Sequence, residues 1–400
     1  MKVLFVNPIG QLGGAERALL DSIASLKDFA PAIATSVLAF APGPLLEEAA
    51  ALGAATSVLQ LPGSVAALGD SGGIDAVRSA LALTRAMAWA PALTRRLRTE
   101  AADIIHTNGF KAHALVALAR PSQQSVVWHL HDFISSRPLM RRVLPLLRSR
   151  ASVAIAVSEA VAEDARTVLK GLPVVTVLNA VRTTRFDRGR TAPADLDSLA
   201  GLPPSQPGTT RIGLVATFAT WKGHDVFLRA AHALRGRRAR FYLVGGSLYA
   251  TAGSQQTVAN LRRQISALGI GDYVGMVQFQ RDISPVLAAL DIVVHASTKP
   301  EPFGRVVAEG MSAGLPVVAA ASGGILEQLE DGRTGLLFPM GDSSSLTERL
   351  ARLLDSPELG QALGRAAAEH ARVYLDAKRL GRELLQVYDQ SARRVRAPAR

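Results

Sequence analysis

The chain contains no cysteine in its 400 residues. That excludes a disulfide framework, a thiolate metal site and thiol chemistry. Aromatic residues make up only 5%, and no helix-turn-helix, zinc or aromatic–basic motif of a nucleic-acid module is present. There is no G-x-G-x-x-G fingerprint, which counts against a dinucleotide cofactor. Acids are the minority charge: 33 Asp+Glu face 45 Lys+Arg, for a formal charge of +12. With no nucleic-acid motif to use it, that excess fits a phosphorylated ligand or an anionic membrane surface better than DNA or RNA. No apolar run reaches the roughly 20 residues of a membrane span. The opening MKVLFVNPIGQLGG has too short an apolar core for a signal peptide and reads as a first strand. A cytoplasmic protein is the expectation.

What remains is a chain 48% hydrophobic, with mean hydropathy +0.19, long enough for two domains with separate cores. Its two halves open alike. The first runs from the strand Lys2–Asn7 through Gly13-Gly14-Ala15-Glu16 into a helix over residues 17–26. The second runs from a strand over 211–216 through Lys222-Gly223 into a helix over 225–234. Short Val/Ile/Leu-rich runs at 103–106, 125–130, 153–157, 241–244 and 316–320 alternate with helical patterns. This predicts an α/β protein with two doubly wound parallel sheets. The Pro/Gly/Ser/Thr-rich stretch 189–210 reads as the linker, giving an N-terminal domain over 1–188 and a C-terminal domain over 211–377.

Residues 299–342 carry the most chemistry. Asp291-Ile292-Val293-Val294-His295 reads as a buried strand, Pro300 to Gly304 as a turn, and 305–313 as a helix ended by Gly314 and Pro316. Glu301 then precedes a helix N-terminus, and Glu309 lies about two turns along on nearly the same face. Carboxylates accept hydrogen bonds from hydroxyls, and helix-start N–H groups hold phosphate. Polyol plus phosphate is what a nucleotide sugar offers. On spacing alone, the pair is equally a surface turn with two solvated acids.

The longer text separates these readings. Glu301-Pro302-Phe303-Gly304-Arg305-Val306-Val307-Ala308-Glu309, followed by Gly310-Met311-Ser312-Ala313-Gly314-Leu315-Pro316, Gly323-Gly324 and Glu327, resembles the E-x(7)-E donor signature of retaining GT-B glycosyltransferases of family four (glycosyl transferases group 1). The resemblance covers nearly the whole chain and is strongest over 211–342. It implies two Rossmann-like domains facing a central cleft, with the last helix, about 378–400, crossing back to the first domain. It implies Glu301 on the donor-sugar hydroxyls, Glu309 on the ribose, and Lys222 on the pyrophosphate. Phe303, Gly304, Arg305 and Gly245 join the donor site, and Phe279 falls in register with the base-contacting loop. Gly13 and Gly14 match the family's N-terminal glycine loop, and His131 its histidine near donor sugar and acceptor. His129 stands two residues back on the same face. Ser158 reads as an N-cap, and Asn179 resembles the family's loop asparagine. Where the family often has an arginine five residues before the lysine, this chain has Thr217, so the second charge either comes from elsewhere, with Arg305 the candidate, or is missing.

The implied activity is retaining transfer from a UDP- or GDP-linked sugar, the co-substrate, to a glycan, lipid-linked or small-molecule hydroxyl in polysaccharide or glycoconjugate biosynthesis. No bound cofactor or metal is implied. The alternatives are a non-catalytic nucleotide-sugar-binding subunit and a nucleotide-sugar epimerase of the same fold. The loops over 63–73 and 109–113, candidates for acceptor contacts, match no signature. RPLMRRVLPLLRSR over 137–150, five arginines and no acid, resembles the basic apolar surface with which such enzymes sit on anionic membranes. Read alone, it is equally an ordinary helix with solvated arginines.

Overall fold

The computed structural model describes residues 1–66, 76–119, 124–246 and 255–396. The chain divides into two compact units, Met1–Ala180 together with Ala377–Arg400, and Val181–Asp376.

The first unit holds a parallel sheet of β1 (Lys2–Asn7), β2 (Ala34–Ala39), β3 (Ala55–Val58), β4 (Ile104–Asn108), β5 (Ser125–Leu130), β6 (Val153–Ala156) and β7 (Val174–Thr176). Their order is β3-β2-β1-β4-β5-β6-β7, with every pairing parallel. Strands β4, β5 and β6 are buried along their whole length, as a sheet covered by helices on both faces requires. The order reverses between β1 and β4. Ligands of such sheets bind outside the carboxyl ends of the strands at that switch point, where Asn7 and Asn108 end β1 and β4.

The C-terminal helix Leu380–Arg396 completes this core. Its Leu380, Leu384, Val387 and Tyr388 recur at helical spacing and share one buried cluster with Leu19, Ile23 and Leu26 of the helix Gly14–Phe29. Gly381 permits the close crossing: a Cβ there would lie 2.3 Å from the Ser25 carbonyl oxygen, and its N–H donates to Ser25 Oγ at 2.7 Å.

The second unit's sheet comprises β8 (Thr210–Val215), β9 (Ala239–Gly245), β10 (Val274–Gln278), β11 (Ile292–His295), β12 (Val317–Ala320) and β13 (Leu336–Phe338). The order β10-β9-β8-β11-β12-β13 puts its switch point between β8 and β11. Phe227, Phe241, Leu243, Val294, Val318, Phe338 and Leu350 lie in its core.

Residues 189–210 are not a free linker, and the division falls after Ala180 rather than at 188. The prolines and glycines there shape turns around a short helix, Leu196–Ala200, N-capped by Asp195. Leu196 is buried. Asp197 accepts hydrogen bonds from Tyr242 Oη at 2.6 Å, Arg240 Nη1 at 2.5 Å and the Ser205 N–H at 2.8 Å, which fastens the segment to β9.

The basic segment forms the helix Pro138–Leu147 and a 3-10 turn, Arg148–Arg150. Met140 and Leu144 are buried, whereas Leu146 is 81% exposed and Arg141, Arg142, Arg148 and Arg150 are exposed around it.

Candidate functional site

At the second unit's switch point β11 ends in His295, and the chain turns through Ser297 to Glu301. The turn after β8, Thr220–Lys222, is tied to this loop by the Thr298 N–H donating to the Trp221 carbonyl at 2.7 Å. Only glycine fits at 223: φ is 70°, and a Cβ would lie 1.8 Å from the Ala296 carbonyl oxygen. The approach brings Lys222 Nζ to 2.7 and 3.0 Å from the two Glu301 carboxylate oxygens. Ser297 Oγ donates to the same carboxylate at 2.8 Å, and His295 Nε2 lies 3.2 Å from it. Burial pushes the Glu301 pKa up, but the Lys222 charge and the His295 contact outweigh it, so the carboxyl sits well below its ordinary range.

The backbone around Glu301 is equally constrained. Gly304 caps the helix Arg305–Ser312 in the left-handed region at φ 83°, and Gly324 donates its N–H to the Glu301 carbonyl at 2.9 Å. The Phe303 ring is buried, and its carbonyl accepts from the Gln328 amide. Glu309 is buried, with Arg305 Nε 3.5 Å from its Oε1 one turn earlier. The proposed second phosphate charge therefore lies against Glu309. Gly245, at φ 155°, ends β9 within reach of Ala216, and Phe279 is 44% exposed beside Gly246.

In the first unit Gly13 caps the helix Gly14–Phe29, but its N–H donates to Glu16 Oε2 at 3.0 Å. The neighbouring Gly14 is exposed. Burial raises the Glu16 pKa, although hydrogen bonds from Asn7 and the Gly13 backbone oppose the shift. Glu16 is joined by Asn7 Nδ2 at 3.2 Å, Asn7 Oδ1 accepts from Asn108 Nδ2 at 2.7 Å, and Asn108 Oδ1 meets His131 Nε2.

Next to His131, the Asp132 carboxylate accepts from the Phe133 N–H at 2.8 Å and from Arg137 Nε at 3.0 Å. His129 lies two residues earlier, inside β5. It is buried, its Nδ1 lies 3.0 Å from His106 Nε2, and His106 Nδ1 lies 2.8 Å from Tyr388 Oη. Burial lowers both pKa values, that of His129 to about 3, so this pair is neutral near pH 7. The His129 ring packs 4.2 Å from that of His131. Ser158 is an N-cap as expected, accepting from the Val161 N–H at 3.2 Å. Asn179 caps the Ala180 N–H, and its carbonyl takes Arg379 Nη2 at 2.8 Å. Of the candidate acceptor loops, residues 67–73 lie outside the described residues. His113 in the other is buried, bonded to Thr107 Oγ1 at 2.7 Å and stacked on Trp128.

His295, Ser297, Asn7, Asn108 and Glu16 were not singled out as polar partners by the sequence. His295 and Ser297 carried a usable signal, a polar pair at the carboxyl end of a fully apolar strand.

Two family profiles match the chain. "Glycosyl transferases group 1" matches residues 204–370, and "Glycosyltransferase Family 4" matches residues 12–185. The chain belongs to the group 1 glycosyltransferases. Within this family it resembles a D-inositol 3-phosphate glycosyltransferase of Corynebacterium aurimucosum, at 32% identity over 170 residues, covering 42% of this chain and 40% of that protein. The alignment therefore spans about two fifths of the curated relative's length. Among solved structures, Anabaena Alr3699/HepE in complex with UDP and glucose aligns at TM-score 0.78 and 27% identity, over 97% of this chain and 99% of that one. The same protein has been solved with UDP-glucose. WaaG, a glycosyltransferase involved in lipopolysaccharide biosynthesis, shares the GT-B fold at TM-score 0.67 and 16% identity, over 96% of this chain and 99% of that one. Among the described residues no helix is long and apolar enough to cross a membrane.

Proposed function

We propose that this protein transfers a sugar, with retention of anomeric configuration, from a nucleoside diphosphate sugar to a hydroxyl acceptor. The observation that carries this reading is the Lys222–Glu301 pair at the switch point, eight residues ahead of the buried Glu309. A cation beside a desolvated carboxylate suits a donor with a pyrophosphate at one end of the glycosidic bond and a polyol at the other. Lys222 neutralises charge as the diphosphate leaves, and the leaving phosphate assists deprotonation of the acceptor. Glu301, kept ionised, accepts hydrogen bonds from sugar hydroxyls and stabilises positive charge developing at the anomeric carbon. Glu309 holds the ribose hydroxyls, Arg305 aligns Glu309, and Gly304 lets the backbone approach. Phe279 and Gly245 flank the base, and Gly13, Gly14 and His131 remain the first unit's candidates for sugar contacts. The likeness to a UDP-glucose-binding protein supports a UDP-sugar as the donor. The basic Pro138–Leu147 helix with its exposed Leu146 supports a lipid-linked acceptor on an anionic membrane surface, in polysaccharide or glycoconjugate assembly.

A melting-temperature panel of UDP-, GDP- and ADP-sugars identifies the donor, because a ligand that binds the native state raises Tm. The anomeric configuration of the product, read by proton NMR, then tests the chemistry. An inverted product sinks the retaining mechanism. Donor binding without transfer or hydrolysis makes the chain a binding subunit, and conversion of the donor to its epimer makes it an epimerase.

A further inference from the structure

The C-terminal helix Leu380–Arg396 brings a phenol into the core of the first unit. The helix is held in register at two points, by the Gly381 N–H on Ser25 Oγ and by Ser391 Oγ against Ser125 Oγ. Between them Tyr388 is fully buried and sets its hydroxyl 2.8 Å from His106 Nδ1. His106 Nε2 lies 3.0 Å from His129 Nδ1, and His129 Nε2 is buried with no hydrogen-bond partner among the described residues. The three side chains form a line that starts on the helix and is open at His129.

Counting protons gives the line a direction. A neutral imidazole has one N–H and one lone pair, and a phenol has one proton to give. Burial pushes the Tyr388 phenol above its ordinary range and both histidines below theirs, so all three are neutral near pH 7. If Tyr388 donates to His106 Nδ1, the His106 proton sits on Nε2 and goes to His129 Nδ1. One group is then unmatched, the His129 Nε2–H. In the opposite direction two are stranded, the Tyr388 proton and the His129 Nε2 lone pair. Each unmatched buried group is a cost to the fold, so the first direction is favoured.

We propose that Tyr388 fixes His106 and His129 in their Nε2-protonated tautomers, and that the His129 Nε2–H is a binding point for one hydroxyl oxygen near the carboxyl end of β5. Ligands of parallel sheets bind at that end, and the His129 ring packs 4.2 Å from that of His131 just beyond the strand. The N–H is shielded from bulk water, so it suits a single oxygen, either of an internal water or of a sugar. Tyr388 and His106 are positioning residues, and His129 is the one that touches the oxygen. The tautomers follow from contacts within the first unit; only a sugar as the source of the oxygen rests on the proposed transfer reaction.

The test is long-range proton–nitrogen NMR of protein labelled with 15N-histidine, recorded about one pH unit above the ordinary imidazole pKa. His106→Gln and His129→Gln assign the two rings by the signals they remove. In the wild type both rings should show a protonated Nε2 and a bare Nδ1. Tyr388→Phe removes the donor that distinguishes the two directions, so both rings should move together to a mixture of tautomers. A purely packing role for Tyr388 leaves the tautomers as they were. The His129 Nε2–H should then show either a cross-peak to a bound water or a shift on addition of UDP-, GDP- or ADP-glucose, and the outcome names the source. With a sugar as the source, Tyr388→Phe should also raise the KM for that donor by about 3–10-fold, the worth of one hydrogen bond. A bare Nε2 or an imidazolium on either ring of the wild type overturns the inference without any variant. An unchanged spectrum in folded Tyr388→Phe overturns the role of Tyr388, and neither cross-peak nor shift overturns the binding point. If Tyr388→Phe does not fold, the wild-type tautomers decide the direction. Absence of turnover with every donor removes the transfer reading and leaves the tautomers and the water cross-peak to decide.

Discussion

Replacing Lys222 with Met tests the centre of the second unit, because it removes the charge and keeps most of the aliphatic stem. Both oxygens of Glu301 face Lys222 Nζ, with side chains 20% and 13% exposed. Breaking a fully buried pair from one side costs about 3–5 kcal/mol. Here the ends retain some water, so about 2 kcal/mol is the reasoned figure after discounting for solvent. For a unit of this size that lowers Tm by about 4–8 °C. Donor affinity and turnover should fall together, since the charge acts on ground state and transition state alike.

The pH dependence supplies the sharper test. In the wild type, Glu301 lies below its unfolded value, so its contribution is fully present above roughly pH 4.3 and is lost as pH falls through the folded value. Without Lys222, burial is the largest influence left, and the folded value should rise above the unfolded one. The sign then reverses: the variant is penalised at neutral pH and recovers as acid protonates the carboxyl. The Tm gap between wild type and variant should narrow between about pH 7.5 and about pH 5. Adding Glu301→Gln to Lys222→Met should recover most of the lost stability, because the stranded charge is gone. A gap below about 1 °C near pH 7.5, or one that does not change with pH, refutes the view that these side chains are coupled in solution.

Glu301→Gln alone should fold, because the amide keeps the carboxylate's shape and an acceptor for Ser297. Its kcat should drop by about 10²-fold or more, the cost of losing one positioned charged contact in a dry site; near-wild-type transfer removes Glu301 from the mechanism. Converting Arg141, Arg142 and Arg148 to Gln should weaken sedimentation with anionic vesicles by about 10²-fold, at about 1 kcal/mol per basic residue near the surface. Wild-type binding should fall as salt rises, and equal recovery with neutral and anionic vesicles makes that helix an ordinary solvated one.

The second unit's chemistry was legible because it is local. His295, Ser297, Glu301 and Glu309 fall within one strand–turn–helix passage, Gly323 and Gly324 stand where the backbone packs against that of residues 301–303, and Gly304 where it packs against the Ile325 side chain. Lys222 comes from another element, yet Lys222-Gly223 marks itself by following the first strand of a repeated pattern. The linker was misread for a related reason. Proline and glycine signal turns, but they do not say whether the turns pack. Asp197 settles the matter only through Tyr242 and Arg240, residues 45 and 43 positions away.

The first unit resisted reading because its site is assembled across the sheet. Asn7 and Asn108 are 101 positions apart in sequence, and each alone is an unremarked polar residue at a strand end. The parallel pairing of β1 with β4, and of β4 with β5, puts those ends side by side. The same register sets His106 opposite Val127, two positions from His129 and so on the same face, and their rings meet within hydrogen-bond reach. Strand alternation assigns residues to faces of one strand; the strand order is what turns separate asparagines and histidines into a connected network. The glycine loop shows the cost of reading without that order. Gly13-Gly14 before a helix suggests free N–H groups for phosphate, and the sequence also carries the competing signal, Glu16 three residues after the cap. Given β1 beside β4, the capping glutamate, the two asparagines and the histidine cease to be four local features. They become one hydrogen-bonded arrangement, in which Glu16 takes the Gly13 N–H and meets Asn7, and Asn108 reaches His131.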